Sequence, residues 1–296
     1  MRRWLADVLS PSGDVPLLND GYPVGADLLA ALLPGPRPDA AAGPESWPHA
    51  PLLVLPDTGL ARATAGGWHL LADVGAPGPD DLPAHAHADT FGCLVHVDGA
   101  PLLVDTGAST YTHGPRRSYE RSTAAHNTVE VDGTDSTEVW GAFRAARRAR
   151  VRNVVAGIHS GVVMIEASHD GFRGLPGRPC HRRRWSLTER GLRVNDLVTG
   201  RGWHAIAIRW HLVPGSIMRL DEGEAVLTAP AGEFRVSVCG TGPVTLTAGS
   251  GPVATGFGCS IEAPVLTCRI DTVLPVEVST HWCRAADAQT AMGGSA

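Results

Sequence analysis

Apolar and polar positions alternate with a period of two through most of the chain, in short runs. Residues 52–55, 60–64 and 68–74 form a first group, separated by turns at Asp57-Thr58-Gly59 and Ala65-Gly66-Gly67, the spacing of a meander. Further runs occupy 90–97, 101–105, 126–131, 149–155, 161–168, 180–187, 192–198, 204–212, 225–227, 234–239, 244–247, 260–270 and 273–280. The clearest hairpin joins 90–97 to 101–105, because Asp98-Gly99 supplies the positive φ of a tight turn. Facing positions then sum to 197, which sets His87 opposite Thr110 and Asp105 opposite Gly92. A bulge or bend is needed to bring Asp105 to His87. Helical spacing is confined to Trp4, Leu5, Val8 and Leu9, ended by Pro11, and to 25–33.

Composition sharpens this into an all-β fold. Gly 35 and Pro 23 in 296 residues suit many short strands in a sandwich or barrel, and a chain of this length can bury a large single core. Three segments are expected: 1–50, a helical stub followed by a Pro/Gly/Ala linker; 51–284, the β-domain; and 285–296, a frayed tail. No apolar run approaches the ~20 residues that span a bilayer. The formal charge of −5 gives no reason to expect nucleic-acid binding. Every basic residue is arginine, whose fork suits carboxylate or sulfate. Six scattered cysteines are expected as free thiols, and the N-terminus lacks the long apolar core of an export signal.

Candidate chemistry concentrates in residues 84–140. If 84–89 is a strand, His85 and His87 share one face, and Asp89 continues it as an acceptor for an imidazole N–H or as a strand-starting acceptor. One histidine in a β-protein is usually structural. His87, Asp105 and His126 gathered about adjacent hairpins point to a zinc-like ion with an open position. Residues 106–123 form a long polar loop, a common carrier of function. Within it Tyr119 stands among Arg116, Arg117 and Arg121, and nearby positive charge would lower its phenol pKa for acid–base work; Tyr111 is the second choice. His181 and His211 read as satisfied strand histidines.

The ordered motifs His85-Ala86-His87-Ala88-Asp89, Leu102-Leu103-Val104-Asp105-Thr106-Gly107, Tyr119 to Val129 and Trp140-Gly141-Ala142-Phe143 resemble the C-terminal domain of the heparinase II/III-like polysaccharide lyases. The resemblance implies a β-supersandwich of stacked antiparallel sheets, normally preceded by an (α/α) toroid. It implies cleavage of uronate-containing polysaccharides by β-elimination: a base takes the C5 proton, the carboxylate is neutralised, and an acid protonates the leaving oxygen. His87, Asp105 and His126 would hold zinc, His85 and Tyr119 would be catalytic, and Arg116, Arg117, Arg121 and Asp89 would meet an acidic polysaccharide.

The chain begins about where the family's toroid ends, so a toroid encoded upstream or on a partner chain is expected to complete the cleft. The chain alone is expected to be a weak lyase or none. The family points to the periplasm, cell envelope or exterior, with the cytoplasm also open. The alternatives are a non-catalytic glycan-binding sandwich and a cupin-like metal oxygenase, since two histidines and a carboxylate also suit Fe(II).

Overall fold

The computed structural model describes residues 2–33, 50–221 and 223–292. The expected linker at 34–49 lies outside the described residues. Two short helices, α1 (Arg2–Val8) and α2 (Ala26–Leu32), precede the sheets. The first sheet is a meander in sequence order: β1 (Leu52–Leu55), β2 (Leu60–Ala65), β3 (Trp68–Asp73), β4 (Cys93–Val97) and β5 (Ala100–Leu103). Helix α3 (Pro115–Arg121) follows, then β6 (Val129–Val131) and a small hairpin of β7 (Glu138–Trp140) and β8 (Arg144–Ala146).

Long strands make up the rest: β9 (Val151–His159), β10 (Val162–His169), β11 (Cys180–Thr188), β12 (Gly191–Thr199), β13 (Trp203–His211), β14 (Ile217–Asp221), β15 (Glu224–Ala229) and β16 (Gly232–Gly240). Then come β17 (Thr245–Gly256), β18 (Cys259–Val273) and β19 (Val276–Arg284). An eight-stranded sheet runs β14-β15-β16-β19-β12-β11-β10-β9, and a four-stranded one β17-β18-β13-β6. The pairings are antiparallel throughout, as the stacked-sheet expectation requires.

The inner face of the eight-stranded sheet carries the five-stranded and four-stranded sheets. Trp68 of β3 meets Phe234 of β16 edge to face, and Trp210 of β13 meets Trp282 of β19. All four rings are essentially fully buried in one continuous core. Alternation drives this: β11 turns His181, Arg183, Trp185 and Leu187 inward, and β12 turns Leu192, Val194, Asp196 and Val198 inward. Arg183 and Asp196 sit in that apolar layer, so each must find its partner there.

Several local expectations change. No strand forms at 84–89: Pro83–His85 is a 3-10 turn, and the chain turns again at Asp89–Gly92, where Phe91 takes φ 67°. The Asp98-Gly99 hairpin does form, with both residues at positive φ, and Val97 faces Ala100. Its register then slips between Val95 and His96, so that Val95 faces Leu103. This is a bulge of the kind expected, but it sets Asp105 beside His126 rather than His87. The supposed loop 106–123 contains α3, opened by Pro115 at the first turn. Residues expected as a frayed tail begin with a helix, α4 (Ala285–Met292). All six cysteines are free, Cys93 and Cys268 in the core. No described helix is long and apolar enough to cross a membrane.

Candidate functional site

The segments carrying the motifs are stitched together by their polar side chains. Thr123 donates to the Ala88 carbonyl at 2.8 Å and Thr128 to that of Thr90 at 2.7 Å. Asn127 donates to the carbonyls of Cys93 and Val104, both at 2.8 Å, and accepts from His211 N. From the eight-stranded sheet, Arg183 reaches the carbonyls of Phe91 at 2.8 Å and Asn127 at 2.5 Å. The turn after His87 and the segment after His126 are thus fixed to one another and to β11.

The centre of the site is Asp20. His85 Nδ1 donates to its Oδ2 at 2.7 Å and His87 Nε2 to its Oδ1 at 2.9 Å. Arg117 forks both oxygens and also donates to the Ala142 carbonyl. Burial pushes the Asp20 carboxyl up, but the hydrogen bonds from His87 and Arg117 outweigh it and hold the group well below the usual carboxylate range. His85 and His87 therefore converge without sharing a strand face; a carboxylate gathers them. His85 remains open, its side chain 61% exposed, while His87 is fully buried.

A second carboxylate, Asp105, accepts from His126 Nδ1 at 2.8 Å and from Gly107 N at 3.0 Å. Burial disfavours the His126 cation, yet Asp105 more than compensates and the imidazole rises to about 9. The rings of His87 and His126 lie 5.4 Å apart. Asp20 and Asp105 each engage one ring nitrogen, leaving His87 Nδ1 and His126 Nε2 buried and without hydrogen-bond partners; Asp89 Oδ2 is in the same condition. Two unpartnered imidazole nitrogens backed by carboxylates suit a zinc-like ion in chemistry. Among the described residues, however, no three His, Cys, Asp or Glu side chains are grouped to hold one, because Asp105 faces His126 and Gly107. Burial and the Asp89 charge push the neighbouring Asp73 carboxyl up.

Helix α3 sorts the remaining candidates. Arg117 and Arg121, four apart, point the same way, while Tyr119 projects from the other side. Arg121 is buried and engages the carbonyls of Ala86 and Arg144; Arg116 is exposed. The Tyr119 hydroxyl overlies Gly251 of β17, where an added Cβ would lie 2.7 Å from it. Burial pushes its phenol up to about 12, against the lowering that flanking arginines led us to expect. The arginines do little because α3 turns them away. Tyr111 is the tyrosine beside His85: the rings are 6.3 Å apart, and its hydroxyl is 3.4 Å from the Asp20 carbonyl.

Stacked antiparallel sheets around one buried core, with carboxylate-oriented histidines beside it, define a β-supersandwich. The sequence matches the family described as Heparinase II/III-like, C-terminal, over residues 48–267, and the chain belongs to that family. Among solved structures it is similar to the heparinase III BT4657 gene product, with TM-score 0.76 and 14% identity over 97% of this chain and 46% of that one. It is also similar to the heparan sulfate lyase HepC from Pedobacter heparinus, with TM-score 0.72 and 13% identity over 94% of this chain and 45% of that one. The chain therefore spans just under half the length of these structures. No curated protein matches it.

Proposed function

We propose that this chain is the sandwich half of a lyase that cleaves uronate-containing polysaccharides by β-elimination. The observation that carries the reading is Asp20 accepting the Nδ1 hydrogen of the exposed His85. That bond fixes the tautomer, so Nε2 presents a lone pair outward, as a base removing a sugar C5 proton requires. Tyr111 lies alongside, its phenol pushed up by burial and the Asp20 charge, and so holds its proton at neutral pH for donation to the leaving oxygen. Tyr119 fits this less well, being on the far side of α3. Family membership removes the ground for a cupin-like oxygenase.

A zinc-like ion belongs to the proposal as a structural element that would meet His87 Nδ1 and His126 Nε2, with Asp105 orienting the His126 ring from its other edge. It would hold the floor beneath His85. The substrate and the contribution of an upstream toroid are likewise proposed, from the half-length match to the lyases above.

The test is an assay of the purified chain at micromolar concentration on heparan sulfate, alginate and hyaluronan, followed by the absorbance of unsaturated uronate. Little or no rise is expected from the chain alone. A rise is expected when an upstream toroid is joined or added, and its loss in His85→Ala. Turnover that survives His85→Ala would sink the assignment.

A further inference from the structure

The rim around His85 carries a second pattern that the elimination chemistry leaves unused. Five Phe and three Tyr residues occur in the chain, and four of these eight gather here. Phe143, Tyr111, Phe257 and Tyr22 form an unbroken series of edge-to-face contacts, with successive ring centroids 5.5, 5.2 and 5.9 Å apart. Phe143 also packs against the His85 ring at 5.9 Å. The four come from remote segments: the stretch after Asp20, the loop before α3, the β7–β8 turn and the β17–β18 turn. Backbone hydrogen bonds join three of those segments, Ala108 N to Gly21 O at 2.8 Å and Gly258 N to Ser109 O at 2.6 Å, and Arg117 Nε ties in the β7–β8 turn through the Ala142 carbonyl. The series is therefore held in place by the fold.

Its outer rings face solvent: Phe257 is 57% exposed, Tyr22 42% and Phe143 40%. Contiguous exposed aromatic surface of this kind marks a binding site more often than an idle face. Behind it lies charge: the Arg117 guanidinium sits 5.2 Å from the Tyr111 centroid and 5.3 Å from that of Phe143, held by Asp20. His113 and Arg116 are exposed on the adjoining loop and helix. An apolar protein partner would have to dehydrate the exposed His85 ring without replacing its hydrogen bonds to water. A pyranose ring does not: its C–H face packs on aromatic rings, and its hydroxyls and carboxylate lie at the edge, where imidazole and guanidinium can meet them.

We propose that Phe143, Phe257 and Tyr22 form a stacking platform for pyranose rings of an acidic oligosaccharide, adjacent to His85. The acidic character of the ligand rests on the lyase reading above; the platform itself rests on the contacts and exposure just described.

The probe is a hexasaccharide of alternating uronate and hexosamine, titrated into the full chain by NMR, with neutral cellohexaose as the comparison. Binding with a dissociation constant of about 1 mM or tighter is expected. Phe143→Ala and Phe257→Ala should each weaken it by about tenfold while leaving the circular dichroism spectrum unchanged, and Phe257→Ala, whose ring is the more exposed, should leave the melting temperature unchanged as well. Cellohexaose should bind more weakly than the acidic probe. Absence of acidic-probe binding to the wild-type chain, or undiminished binding in both variants, overturns the proposal. So does a wild-type dimer that the two variants disperse in sedimentation, which would give the rim to a second copy. The two readings separate cleanly. Platform-dependent binding without elimination by any extended form overturns the lyase reading alone; elimination with an unchanged KM in Phe257→Ala overturns the platform alone.

Discussion

Arg183 and Asp196 face each other across the β11–β12 ladder and are joined by two parallel hydrogen bonds, Nε to Oδ1 at 2.7 Å and Nη2 to Oδ2 at 2.9 Å. The pair is fully buried, with the guanidinium 5.1 Å from the Trp210 ring centroid. His181 adds a hydrogen bond to the same carboxylate at 2.7 Å. Because Arg183 also holds the Phe91 and Asn127 carbonyls, it ties the far sheet to the segments that carry the histidines. Removing one member strands a buried charge. Arg183→Met is expected to lower unfolding free energy by about 3–5 kcal/mol in urea titration. A loss below 1 kcal/mol would show that the clamp contributes little.

Acid should weaken the fold before its carboxylates titrate. His96, in β4 opposite Pro101, is pushed by burial from 6.5 to about 4 in the folded chain, and His211 likewise reaches about 4. The unfolded chain thus binds their protons first, so the contribution of these two histidines is full above pH 6.5 and is lost as pH drops from there to about 4. Each group contributes a loss of up to about 3 kcal/mol. Urea midpoints at a series of pH values measure it. His96→Gln should flatten the slope, and a slope identical to wild type would refute the assignment.

Tyr111→Phe and Tyr119→Phe should part company. In whichever form of the protein shows eliminase turnover, the first is expected to lower kcat by about 10²-fold, the scale of one lost general acid. The second should stay within about twofold, because α3 directs Tyr119 to β17. The reverse order would restore Tyr119 to the site.

Asp20→Asn tests the other wall of the site. It leaves Arg117 buried without its anion and lets the His85 ring choose its tautomer. A kcat decrease of about 10³–10⁴-fold is expected with KM little changed, following the behaviour of other carboxylate-oriented histidines. Retained turnover would show that the carboxylate does not set the base.

Zinc content gives the last check. Elemental analysis after dialysis against zinc should find about one ion per chain, lost in His87→Ala. A raised melting temperature in wild type but not in the variant is the second readout. Equal content in both proteins would discard the site.

Much of this was legible before any fold was known. The strand pattern survives because alternation reports burial directly, and Asp98-Gly99 marks its turn by backbone sterics alone. The grouping of His85 with His87 was read correctly for the wrong reason: a shared acceptor 65 residues away replaces a shared strand face. Asp20 itself carried no local signal, since an acid before Gly21-Tyr22 looks like any turn. Helix α3 was hidden by its polarity: with Arg117 and Arg121 buried on carbonyls and Asp20, it lacks the apolar stripe that periodicity detects.

The bulge in the β4–β5 hairpin stores the site's geometry as a residue count. Val97 pairs with Ala100 but Val95 with Leu103, so β5 holds one residue more than the turn alone would place there. Every side chain beyond that point is shifted by half a pleat, and Asp105 is among them. Deleting Leu102 would leave each histidine and acid of the site in the sequence, yet rotate Asp105 away from His126. Variation at this one uncharged position in length, rather than in chemistry, is what would dismantle the floor.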